Sequence, residues 1–124
     1  MVSRIPKTIK KRAEFVRVGK VGVAARTRTV VAVCCGNDRG GALAGFTASK
    51  KVGRAVKRNK AKRRLRSLVR EFCQMFCQDS SYVFIATQAT ALCDFSILRS
   101  DFLYCMKRHL KSDRAARAKT VLPL

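Results

Sequence analysis

From Lys50 to Arg70 the chain carries eleven lysines and arginines and neither aspartate nor glutamate. A helix advances about 100° per residue, so Arg58, Lys62, Arg66 and Arg70 stack at four-residue intervals, while Asn59, Arg63 and Ser67 form an adjacent row. One face becomes a comb of cations and hydrogen-bond donors. Guanidinium groups take phosphate oxygens through two parallel N–H···O bonds, and Asn59 can both donate to and accept from a base edge, ribose or backbone. With no carboxylate in the stretch to form i,i+4 pairs, the chemistry on offer is binding of a polyanion. A solvated helix face is the bland reading of the same charges.

Catalytic chemistry is harder to find. The seven carboxylates Glu14, Asp38, Glu71, Asp79, Asp94, Asp101 and Asp113 are scattered, without the clustered pair that would hold two metal ions or act as acid and base. Cys73 and Cys77 stand four apart, but tetrahedral zinc needs two more ligands and His109 is the only histidine. With no export signal, the six cysteines, Cys34 and Cys35 included, read as free thiols in apolar surroundings, not as a disulfide framework.

The elements that position the cations follow from hydrophobic spacing. Residues 1–12 read as a basic arm, with Pro6 breaking any early helix. A short helix is expected from Ala13 to Val18, with Phe15 and Val18 on one face and Gly19 and Gly22 ending it. Thr27 to Cys35 is rich in β-branched residues and reads as a strand; residues 36–41 form a turn, and a second strand, about Ala42 to Ser49, returns antiparallel to the first.

The central helix is predicted from about Lys57 to Cys77, since Ala61, Leu65, Leu68, Val69, Phe72, Cys73 and Phe76 recur at three and four. Gly53, just before it, permits a sharp turn. Tyr82 to Thr87 reads as a buried strand, and Phe95, Leu98, Phe102, Cys105, Met106 and His109 as a last helix with Asp94 as N-cap. Residues 112–124 read as a basic tail with frayed structure. The order α-β-β-α-β-α implies an α+β class, one sheet packed on helices in a two-layer α/β sandwich, with 1–124 a single domain and 13–111 its core.

Composition narrows the partners. The chain has 124 residues, and 28 Lys and Arg against 7 Asp and Glu give a formal charge of +21. Such an excess is costly through self-repulsion unless a polyanion neutralises it. Nucleic acid is the first candidate and an anionic membrane the second, but no run approaches the roughly 20 apolar residues of a spanning helix. A cytoplasmic protein is expected, with no membrane partner and no need for a protein oligomer.

The pattern Lys-x-Gly-x-Ala-Val-x-Arg-Asn-x-x-Lys-Arg-x-x-Arg is met by Lys51, Gly53, Ala55, Val56, Arg58, Asn59, Lys62, Arg63 and Arg66. In this the chain resembles the protein subunit of bacterial ribonuclease P. Glu14-Phe15, the segment Gly45 to Lys51 and the region after Tyr82 extend the likeness over about residues 7–111. The resemblance implies a fold like domain 2 of ribosomal protein S5, with a left-handed βαβ crossover, where general rules favour the right-handed one. It implies assistance in endonucleolytic removal of the 5′ leader of precursor tRNA, as a subunit of a ribonucleoprotein endonuclease whose catalytic groups lie in its RNA. Magnesium ions would act in that RNA, with no dedicated site and no catalytic residue on the protein.

The same resemblance implies docking on ribonuclease P RNA through Lys51, Arg54, Arg58, Asn59, Lys62, Arg63, Arg66 and Arg70. It implies a leader cleft between the first helix and the sheet, served by Phe15, Ser49 and Lys50, with Phe15 able to stack on a base. Gly19 falls where a second aromatic of that helix is expected. Two other classes compete: a ribosomal or other structural RNA-binding protein, which would co-sediment with ribosomal subunits, and a self-sufficient nuclease, against which the scattered carboxylates argue.

Overall fold

The computed structural model describes residues 5–37 and 40–121, with side chains through residue 111. Five strands, β1 (Lys7–Thr8), β2 (Val23–Arg26), β3 (Val30–Gly36), β4 (Leu43–Thr47) and β5 (Ser80–Ala86), form one sheet in the order β1-β4-β5-β3-β2. Four helices join them: α1 (Arg12–Val21), α2 (Ala55–Glu71), α3 (Gln88–Leu92) and α4 (Phe95–Val121). The α+β class holds. Three elements exceed the expected order: β1 and α3 are too short to give a periodic signal, and β2, Val-Ala-Ala-Arg, has weak strand character.

Period-two alternation divides the sheet into two faces. Val30 and Ala32 on β3 and Tyr82, Phe84 and Ala86 on β5 join Leu65, Leu68, Leu98, Phe102 and Met106 in the main core beneath α2 and α4. Phe84 is its hub, stacked on Phe102 at 4.9 Å between ring centroids and on Phe46 at 6.0 Å. Val33 and Val83 point to the opposite face, where Val18 of α1 and Ile9 close a second, smaller cluster. Burying an aliphatic or phenyl side chain of this kind contributes about 1.5–3 kcal/mol, so the α2–α4 face dominates stability.

The strand expected over 27–35 begins only at Val30 and runs to Gly36. Thr27 Oγ1 donates to Val30 O at 2.7 Å and accepts from Val30 N at 3.1 Å. That local bonding closes a turn and makes β2 and β3 a hairpin, as threonine does where its hydroxyl competes with the ladder. The 42–49 strand is shorter, Leu43–Thr47, and is not a hairpin partner of β3: β5 lies between them, parallel to β4 and antiparallel to β3. Helix α2 is thus the crossover of a parallel β4-α2-β5 unit, which a parallel pair requires.

Helix boundaries shift for identifiable reasons. In α1, Gly19 lies within the helix and Gly22 ends it, its N–H donating to Val18 O at 2.8 Å. A Cβ on Gly22 would lie 2.4 Å from that oxygen. Helix α2 starts at Ala55 and stops at Glu71, short of Cys77, because the chain tightens into a 3₁₀ turn at Cys73–Met75. That turn swings Phe76 against Tyr82, 4.7 Å between centroids. The 80–86 strand begins two residues before the expected Tyr82. Asp94 precedes α4, its carbonyl accepting from Leu98 N. The backbone of α4 runs on to Val121 through most of the expected tail, and residues 1–4 of the arm and 122–124 lie outside the described residues.

Candidate nucleic-acid interface

Apolar spacing holds α2 with Ala61, Leu65, Leu68 and Val69 inward. The opposite crest therefore carries Asn59, Arg63, Arg66 and Arg70, all exposed, and the ridge is not buried against the sheet. Arg58 and Lys62, half-buried, sit on the flank towards the core, so the comb is uneven. Nε of Arg58 is enclosed, with no hydrogen-bond partner among the described residues. Arg66 leans over the Phe46 ring, 5.7 Å from its centroid, a cation–π contact that steers its guanidinium to the β4 side. Lys51, in a 3₁₀ turn over Lys50–Val52, and Arg54, at the N-cap of α2, are also exposed.

Arg64, absent from the candidate residues, behaves differently from its neighbours. Its NH1 donates to Thr90 O at 3.1 Å and Cys93 O at 2.7 Å, closing the C-terminal end of α3, and its guanidinium lies 5.8 Å from the Phe95 centroid. It is bound within the fold, while Arg63 beside it faces solvent. Gly53 turns the chain into α2 at φ +136°, a conformation that side chains rarely adopt, and a Cβ there would meet Lys57 Cδ at 2.9 Å. The expected sharp turn is therefore a glycine requirement.

A cavity of about 490 Å³ opens between α1 and the sheet, lined by Lys10, Arg12, Phe15, Val16, Phe46 and Thr47. Phe15 is half-buried, and it fits because β4 has glycine beneath it: a Cβ on Gly45 would stand 2.5 Å from Phe15 Cε1. Ring and wall thus join core packing to groove lining at one residue. Phe46 supplies the second aromatic that α1 lacks at Gly19. Its ring is tied to the main core by Phe84, so it is a fixed wall. Ser49 and Lys50 follow β4 beyond the groove, both exposed, outside its lining.

Sequence reasoning did not select Lys10, Arg12, Val16, Phe46 or Thr47 as site residues. The signal available was Phe46 in a β-type run; its partner across space is not readable from spacing. The helix that carries Phe15 is anchored by Glu14, nearly buried. Its carboxylate binds Arg17 Nε at 2.7 Å and accepts from Ser81 Oγ at 2.7 Å. This carboxylate is structural.

No cluster of three or more His, Cys, Asp or Glu side chains able to hold a metal occurs among the described residues. His109 packs under the sheet with Nε2 2.8 Å from Ala32 O, and burial lowers its pKa from the usual 6.5. Burial pushes the Cys34 thiol up to about 12 and the Cys105 thiol to about 11, so neither is a ready nucleophile. All six cysteines are free, five half-buried and Cys105 buried. Cys77 lies beyond the 3₁₀ turn, so it does not share a helix face with Cys73. No helix among the described residues is long and apolar enough to cross a membrane.

Comparison with known proteins gives a consistent picture. The family described as Ribonuclease P matches residues 5–110. The ribonuclease P protein component of Paramagnetospirillum magneticum is 36% identical, over 95% of this chain and 94% of its own. That of Desulforamulus reducens is 39% identical, over 71% of this chain and 78% of its own. The Staphylococcus aureus RNase P protein structure superposes with a TM-score of 0.74 at 28% identity, covering 82% of this chain and 94% of that one. The RNase P protein from Thermotoga maritima, at 24% identity and a TM-score of 0.72 over 82% and 96% of the two chains, shares the fold.

Proposed function

This chain belongs to the ribonuclease P protein family, and from that premise we propose that it docks on ribonuclease P RNA through α2 and holds the 5′ leader of precursor tRNA in the α1–β4 groove. The observation that carries the reading is the exposed crest of Asn59, Arg63, Arg66 and Arg70 on a helix free of acid until Glu71. Lys51, Arg54, Arg58 and Lys62 extend it, and phosphates of a folded RNA neutralise it with release of counterions. Arg66 stands where crest and groove meet, next to Phe46.

In the groove, Phe15 offers a ring to a leader base, Phe46 the opposing wall, and Lys10 and Arg12 charge for the leader phosphates. Ser49 and Lys50 meet the strand as it leaves the cavity. This chain supplies position and charge neutralisation; the phosphodiester is cut by the RNA, which holds the magnesium ions. Its place is the bacterial cytoplasm, where precursor tRNA is made.

The test is cleavage of precursor tRNA by a bacterial ribonuclease P RNA at low magnesium, with and without the protein. The expected result is cleavage that depends on the protein and none by the protein alone. No enhancement, or cleavage by RNA-free protein, overturns the reading.

A further inference from the structure

Helix α4 carries a second basic face, separate from the α2 crest. Tyr104, Lys107, Arg108 and Lys111 fall at i, i+3, i+4 and i+7, one stripe of the helix, and all four are exposed. Leu98, Phe102, Cys105, Met106 and His109 take the opposite side into the core, so the stripe points away from the sheet. Tyr82, Phe84 and Phe102 are buried, whereas Tyr104 keeps 49% of its surface open and Phe95 36%.

Two features make this stripe more than a solvated face. The Arg108 guanidinium stands 5.9 Å from the Tyr104 ring centroid, and its NH1 reaches the Tyr104 hydroxyl at 3.4 Å. Ring and guanidinium form a joint π surface held in position before any ligand arrives. Among the described residues, no carboxylate is paired with these cations. Asp101 is engaged by the Thr29 hydroxyl at 2.6 Å and Glu71 is paired with Arg99, while no ion pair among the described residues ties Lys107, Arg108 or Lys111. Like charges at i,i+3 and i,i+4 disfavour the helix until an anion neutralises them.

We propose that the Tyr104–Lys111 face of α4 is a second docking surface for ribonuclease P RNA, with an unpaired nucleotide stacked on Tyr104 and its flanking phosphates on Lys107, Arg108 and Lys111. This rests on the family reading given above. The topology selects the RNA subunit over the leader. In the order β1-β4-β5-β3-β2, α2 packs on β4 and β5 and α4 on β3 and β2, so the groove at the β4 side and α4 lie towards opposite edges of the sheet. Helices α2 and α4 share one core and are linked by the Glu71–Arg99 ion pair, so an RNA seated on the α2 crest lies beside α4.

The experiment is binding of the full chain to isolated ribonuclease P RNA across a salt series. The variants are Tyr104→Ala, Tyr104→Phe, the triple Lys107→Gln/Arg108→Gln/Lys111→Gln, and Arg63→Ala. Tyr104→Ala is expected to bind about tenfold more weakly, with Tyr104→Phe near the parent. The triple variant should lower the slope of log affinity against log salt by about 2 to 3. Parent-like affinity and slope in the α4 variants, with a reduced slope in Arg63→Ala, overturn this proposal alone. Parent-like behaviour in all four variants overturns it together with the α2 docking. Loss confined to precursor tRNA with a long leader, with binding to the isolated RNA intact, also overturns it. Equal thermal midpoints, expected for exposed positions, confine the comparison to binding.

Discussion

Replacing Arg63 with alanine isolates the electrostatics of docking from the stability of the fold. Arg63 is exposed at the crest of α2, while Arg64, one residue on, is hydrogen-bonded to Thr90 and Cys93. The two variants remove the same charge from the same helix. A charge-assisted hydrogen bond to phosphate is worth about 1.5–3 kcal/mol, so Arg63→Ala should bind ribonuclease P RNA roughly ten- to a hundredfold more weakly at low salt. One lost phosphate contact lowers the slope of log affinity against log salt by about 0.7–0.9, so the gap between parent and variant narrows roughly threefold from 50 to 200 mM salt. Arg64→Ala should instead lose about 1.5–3 kcal/mol of folding stability, because two helix-end carbonyls lose their donor, and keep most of the docking contacts. Filter binding across the salt series and thermal melting of both variants read the two effects separately. A parent-like slope in Arg63→Ala, or a melting loss there as large as in Arg64→Ala, refutes the division of roles between these adjacent arginines.

Four further outcomes follow from individual contacts. Gly45→Ala places a methyl where Phe15 packs, so it should cost about 1–3 kcal/mol by overpacking, while Phe15→Ala should weaken long-leader precursors and spare binding of the isolated RNA; equal loss for leaderless substrate would exclude the groove role. Gly53→Ala forces a positive φ on a residue with a Cβ and should lower stability by about 1–3 kcal/mol; an unchanged melting temperature would contradict the turn geometry. His109 is held neutral by burial, with its folded pKa below the unfolded 6.5, so its contribution is complete above about pH 6.5 and declines as pH falls from there through the folded pKa. His109→Gln should flatten the decline in stability below pH 6.5, and an identical decline in both proteins would show that another group titrates.

The cation ridge was legible in the sequence because helix periodicity is local: once Ala61, Leu65, Leu68 and Val69 are known to face inward, Asn59, Arg63, Arg66 and Arg70 must face out. Charge told the class of partner for a similar reason, since an excess of +21 is a property of composition that no folding pattern removes. The strands β3, β4 and β5 were also legible, though not β1 and β2, and the pairing was not. Whether the 42–49 segment lies beside β3 or beyond β5 depends on contacts between distant residues, and only the assembled sheet places β5 between them. The groove belongs to the same category: Phe15, Phe46 and the space cleared by Gly45 come from separate elements, and no spacing rule joins them. Tertiary structure also sorted the arginines, leaving Arg63 to solvent, tucking Arg58 against the core and binding Arg64 to α3, because the neighbours on each side of a helix decide which of its charges stay available.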